Sequence, residues 1–187
     1  MKMRLMSLLL LGAILLASPS ASQNISDRAS KVSGEDFVRA FVGNCGLNAG
    51  NIDLVIASAK ALNFAPLPEQ FKPLMAPQDP NAEFSGFLVL DGDGSPYLLG
   101  VSRSVSDGKT MEACAVANPY IKTSTVVSAL SKIVGLGTAD EDESQMGQRY
   151  RLWATAKWMA GSYVMLTDAE PMGLDGATLG IVAPSIK

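Results

Sequence analysis

The sequence predicts an α+β fold, with antiparallel sheet(s) carrying three helices in the order α-α-β-β-β-α-β-β-β. Apolar residues recur at helical spacing over 33–45 and 51–64. From residue 84 the period changes to two, with hairpin turns between the runs. A further helical stretch at 123–137 then separates two sets of three strands. Hairpins with helices grouped apart from them, rather than alternating βαβ units, point to an antiparallel sheet in one domain.

Each element has its own local reason. In "SGEDFVRAFVGN", Ser33 is placed to cap a helix whose first turn carries Glu35 and Asp36, which suits the positive end of the helix dipole. Phe37, Ala40, Phe41 and Asn44 or Cys45 follow its helical stripe, with Cys45 at the helix end. In "NIDLVIASAKALNF", Asn51 is the cap and Ile52, Val55, Ile56, Ala59 and Leu62 are the buried face. Five prolines between residues 66 and 80 exclude a long helix or a central strand there. That segment reads as an ordered loop with a helical turn at Glu69–Lys72, and Leu67, Phe71, Leu74 and Met75 pack it over the domain.

"FSGFLVL" and "PYLLGVSRSV" flank "DGDGS" as a hairpin, and "DGKT" turns the chain into "MEACAVANP". In that strand Met111, Ala113, Ala115 and Ala117 lie on one side, with Glu112, Cys114 and Val116 on the other. "TSTVVSALSKIVGLG" is the third helix, ended by Gly135 or Gly137. "TADEDESQMGQ" reads as an exposed acidic loop, followed by the strands "RYRLWATAKW", "SYVMLTDA" and "ATLGIVAP". The two halves share a three-strand motif, yet no sequence repeat aligns them.

The first 22 residues have the layout of a secretory signal peptide. Lys2 and Arg4 precede an apolar stretch from Leu8 to Ala17, and small residues follow, with cleavage expected after Ala21 or Ser22. The stretch is too short to serve as a permanent membrane span, although a short N-terminal anchor is the competing reading. Residues 23–32 then form a loose arm, in which Asn24-Ile25-Ser26 matches a glycosylation acceptor, and 33–187 form the single domain. Removing Lys2 and Arg4 leaves thirteen basic against eighteen acidic residues, a net charge of −5. That balance argues against nucleic acid and anionic membranes as non-specific partners, and no later stretch could insert stably in a membrane.

Cys45 and Cys114 are the only cysteines. In an oxidising compartment such a pair forms a disulfide, here closing a loop of 70 residues. The alternatives are a reactive thiol at Cys45 or a metal site. The chain has no histidine and no third cysteine to complete a ligand set, and no C-x-x-C spacing for a redox pair. Placing Cys114 toward the helices makes the Cys114 and Val116 side of its strand the covered face.

Chemistry-bearing motifs are sparse. "DGDGS" opens like a calcium loop but has Pro96 and Ser102 where glycine and glutamate are required. Ser106 and Lys109 have S-x-x-K spacing but form a turn between strands. Without histidine the usual general base is missing, so catalysis would fall to carboxylates, and Asp140–Glu143 read as a solvated run. No cofactor-binding pattern is present.

The most distinctive polar feature is the strand "RYRLWATAKW". Arg149, Arg151, Trp153, Thr155 and Lys157 share one side, a cationic row with a central tryptophan on an acidic protein. Arginine and tryptophan dominate binding hot spots, so Arg149, Arg151, Trp153 and Lys157 are the candidate docking residues for a protein or an acidic or sugar polymer. The plainer reading pairs the row with Asp168 or Glu170 on the neighbouring strand and packs Trp153 under a loop.

A helix ending in "FVGNCG", a second helix leading to "LNF", and a later "CAV" strand resemble small secreted bacterial proteins of unassigned activity, over residues 37–117. The resemblance implies export and a pairing of the helix-end cysteine with the strand cysteine. It implies no activity and transfers no functional residue. The expectation is therefore a non-enzymatic binding domain of the bacterial envelope or exterior, recognising a macromolecular partner. The rivals are a histidine-independent hydrolase using carboxylates and a carrier of a small apolar ligand beneath the 64–77 loop.

Overall fold

The computed structural model describes residues 31–77, 79–90 and 95–186. The expected signal peptide, almost all of the expected arm and the "DGDG" residues read as a hairpin turn lie outside these. Eight strands form one antiparallel sheet: β1 (Ala65–Pro66), β2 (Glu83–Leu90), β3 (Pro96–Ser106), β4 (Lys109–Asn118), β5 (Glu141–Gln145), β6 (Gln148–Thr155), β7 (Ser162–Asp168) and β8 (Ala177–Pro184). Their spatial order is β1-β2-β3-β4-β8-β7-β6-β5. Two four-strand meanders thus meet along a seam between β4 and β8. The hairpins of the two halves close differently: β3 and β4 pair down to Ser106 and Lys109, whereas β7 and β8 stop at Asp168 and Ala177.

The described residues contain four α-helices, not three: α1 (Gly34–Asn44), α2 (Ile52–Ala61), α3 (Lys72–Met75) and α4 (Thr123–Ala129). The first two begin where their caps predict. Ser33 Oγ accepts from the Asp36 amide at 3.1 Å, and Asn51 Oδ1 accepts from the Leu54 amide at 3.4 Å. The third expected helix changes geometry partway. Leu130–Val134 continue α4 as a π-helix, in which the Gly135 amide donates to Leu130 O five residues back before Gly135 turns out at φ +79°.

Two further elements depart from expectation. The proline-rich loop carries the expected helical turn, as a 3-10 turn at Glu69–Phe71 that leads into the one-turn α3, but it also contributes β1 to the sheet edge. The acidic run expected as a loop is β5, an edge strand with all five residues exposed. An edge strand burying neither face has no reason to alternate polar and apolar residues, so its sequence resembles a loop. Its charges keep that edge from pairing with other chains.

One face of the sheet carries the main core. Tyr97, Leu99 and Val101 of β3, Cys114 and Val116 of β4, Leu179 and Ile181 of β8, and Val164 and Leu166 of β7 are all buried there with Phe37 and Phe41 of α1. The side of β4 bearing Cys114 is thus the covered one. Cys45 and Cys114 form a disulfide with S–S 2.00 Å, tying the end of α1 to the sheet centre. α1 also lies tight on α4: a Cβ placed on Gly34 would come within 2.3 Å of the Thr125 carbonyl oxygen.

Candidate functional site

Three of the four candidate docking residues, Arg149, Arg151 and Trp153, share the side of β6 that the core covers, whereas the strand ends at Thr155 and leaves Lys157 beyond it, exposed. Arg151 and Trp153 are buried, with 6% and 4% of their surface exposed. Arg149 holds Asp142 through two hydrogen bonds of 2.7 Å and reaches Glu170 at 3.4 Å. Arg151 donates to Asp168 at 2.7 Å and to Glu170 at 3.1 Å. The Trp153 indole N–H donates to Gly137 O at 3.0 Å, placing the ring under the loop that follows α4. Lys157 Nζ donates to Val134 O at 2.6 Å, satisfying a carbonyl at the end of the helical segment. The polar groups of the row are thus bonded within the fold. Arg151 pairs with Asp168 and Glu170 as the plainer reading anticipates, Arg149 is held chiefly by Asp142 of β5, and Lys157 by a backbone carbonyl.

The electrostatics follow from these contacts. The Arg149 guanidinium bound to Asp142 holds that carboxyl below its ordinary value and raises the arginine in turn. A second arginine-centred cluster sits on the first meander. Arg103 meets Glu112 at 2.9 Å, Glu83 at 2.9 Å and Asp53 at 3.2 Å, and its pKa is raised chiefly by the hydrogen bond to Glu112. Buried Glu112 also accepts from the Ile52 amide at 2.9 Å and from Ser185 Oγ at 3.1 Å. These contacts join α2, three strands (β2, β3 and β4) and the segment after β8. Where carboxylates converge, an arginine lies between them, which suits structural ion pairing better than acid–base chemistry. Among the described residues no group of acids or cysteines is arranged to hold a metal ion.

The opposite face of the sheet is different. A row of small residues crosses the strands: Gly86 faces Gly100, Gly100 faces Ala115, and Ala115 faces Gly180. Gly180 then faces Met165, which faces Leu152. Side chains short enough to leave the pleat bare make this row a furrow. Its first half is filled by the chain itself. The segment from β1 to α3 crosses it as a strap, and Leu67, Phe71 and Met75 form a second apolar cluster with Phe84, Leu88, Leu98 and Ala117. A Cβ on Gly86 would meet Leu67 Cδ2 at 2.7 Å, and one on Gly100 would meet Met75 Cε at 3.0 Å.

Beyond Met75 the furrow opens into a trough of about 530 Å³. Ala113, Ala115 and Thr178 lie in its floor, the strap is one wall, and Tyr150 and Met165 line the other side. The floor alanines and Met165 are half-buried, and Tyr150 and Tyr163 are exposed on the same face. Glu141 and Glu143 stand opposite Leu152 and Tyr150 and add negative charge at the outer margin.

A wider concavity of about 830 Å³ lies between the starts of α1 and α4. The Glu35–Lys132 ion pair beside it holds the Glu35 carboxyl below its ordinary value, and Arg39 contributes to the same effect. Neither concavity involves the expected docking row. The trough had two traces in the sequence: the alanines at 113, 115 and 117 on one side of a strand, and glycines inside strands at 86, 100 and 180, where a close approach is the usual reason. Comparison of the chain with protein-family models, with curated proteins and with solved structures finds no match.

Proposed function

We propose that this chain is an exported binding domain of the bacterial envelope or exterior, and that it receives an apolar segment of a macromolecular partner in the trough on its open sheet face. The observation that carries the reading is the half-filled furrow. The chain's own Leu67 and Met75 occupy one half, and the other half offers the same small-residue floor unfilled. Aliphatic side chains fit that floor because glycine and alanine let them approach the backbone. A largely apolar sheet face left half-covered is the kind of surface that marks a binding site. The disulfide supports export, since such bonds persist in oxidising compartments. No helix among the described residues is long and apolar enough to cross a membrane.

The volume beside the strap also favours a second reading, in which a small apolar molecule occupies the trough. The half-buried floor speaks for a chain-like occupant over one wholly enclosed. One substitution tests the site for both. Ala115→Arg places a guanidinium across the floor. The neutral dye N-phenyl-1-naphthylamine should fluoresce with the native protein and lose that signal in Ala115→Arg, with thermal unfolding within a few degrees of native. A photo-reactive residue at 115 should cross-link a cellular partner for the macromolecular reading and only a small molecule for the carrier reading. The same group at exposed Leu54, on α2, should capture neither. Dye binding that ignores Ala115→Arg would remove the trough as the site.

A further inference from the structure

The β5–β6 hairpin closes on two residues, Met146 and Gly147, between the paired Gln145 and Gln148. Both have positive φ, +51° and +81°. Such turns favour asparagine, aspartate or glycine in the first position, because other side chains crowd the backbone there at about 1–2 kcal/mol. The β3–β4 hairpin follows the rule with Asp107 at +50° and Gly108 at +73°. Among the described residues, Asn63 is the only other non-glycine with positive φ. Methionine is thus the exception, and it gains nothing from the fold in return: Met146 is 91% exposed.

Met146 does not stand alone. Met172, 53% exposed, lies over Gly147, where a Cβ would come within 2.6 Å of its sulfur. Exposed Tyr150, whose hydroxyl bonds to Gln148, leads from this tip into the trough. The charge around the tip is one-sided. Arg149 and Arg151 are held by Asp142, Asp168 and Glu170. Glu141, Glu143 and Asp175 form no ion pair among the described residues; the two glutamates flank the open face and Asp175 lies at the end of the trough.

We infer that the Met146 hairpin tip, with Met172 and Tyr150, anchors a basic amphipathic segment of a protein partner at the mouth of the trough. The inference rests on the open face being the binding surface. Flexible methionines adapt to varied apolar side chains, while the uncompensated carboxylates select for lysine or arginine beside them. The same charges repel an anionic lipid surface.

The test uses the mature, oxidised protein and two labelled synthetic peptides, one alternating leucine with lysine at amphipathic helical spacing and one carrying glutamate in place of lysine. Fluorescence anisotropy should show binding of the lysine peptide only, weakening as salt is raised. Met146→Asn should bind it about tenfold more weakly, as expected for loss of an anchor, while unfolding at the same or higher denaturant concentration because asparagine suits the turn. Unchanged affinity in Met146→Asn, equal binding of the glutamate peptide, or preferential binding to phosphatidylglycerol vesicles would each overturn the inference. A native protein that takes the neutral dye but neither peptide would remove the anchor and leave the trough standing. One that takes none of the three probes would remove both.

Discussion

At the scale of single residues, two glycines of α1 differ in what surrounds them. Gly34 sits where any side chain would strike the backbone of α4, whereas nothing lies within 4 Å of a Cβ on Gly43. Gly34→Ala should therefore cost about 1–3 kcal/mol, because a backbone neighbour cannot yield as a flexible side chain does. Gly43→Ala, in the same helix, should stabilise by about 0.5–1 kcal/mol through helix propensity alone. Urea unfolding of the two variants measures both, and equal effects would mean that α1 and α4 are not in close contact. Asp142 provides a test against pH. Its folded carboxyl is held below the ordinary value by Arg149, so in acid the unfolded chain binds a proton that the folded chain does not. The resulting stability is present above about pH 4 and fades as pH falls through the lowered folded value. Denaturation midpoints between about pH 5 and pH 2 should drop less steeply in Asp142→Asn than in the native protein.

Among elements, the strap is the most separable. Leu67 is 5% exposed and pins it over Gly86, outside the main core. Leu67→Ala should cost about 2–3 kcal/mol, and hydrogen exchange should quicken at Leu67 and along the strap while the amides of β4 and β8 stay protected. Uniform loss of protection would show that strap and core unfold as one unit. The same segment shows why some elements were legible in the sequence and others were not. α1, α2 and the six longer strands bury one face or stripe, and burial imposes a period that can be read. β1 has two residues, α3 has one turn, and β5 buries nothing, so none leaves a pattern. The candidate site was legible by halves. Alternation placed Arg149, Arg151 and Trp153 on one side of β6 but ran the strand two residues too far to include Lys157, and which side faces the core depends on β6 lying beside β7 in a sheet centred on β4 and β8. The anionic partners of those arginines come from β5, β7 and the turn after β7, and only the topology brings them near. Met146 carried no signal, because its strain appears only once the hairpin is known.

For the whole molecule, the disulfide joins the end of α1 to the centre of the sheet across 69 positions of chain. Closing so long a loop removes conformations from the unfolded state, and replacing both cysteines by serine should lower stability by about 4 kcal/mol. Chemical denaturation with and without reductant should show the same loss in the native protein and none in the variant. The seam between β4 and β8 has a consequence of its own. The strand that comes eighth in the chain fills the middle of the sheet, so a chain synthesised amino-end first cannot knit its two ribbons together until that stretch emerges. Meanwhile the bare rim of β4 stands open to any passing polypeptide, a hazard that ends only with delivery of Ala177–Pro184. Cutting the chain before that point should leave two unjoined ribbons rather than a smaller working protein.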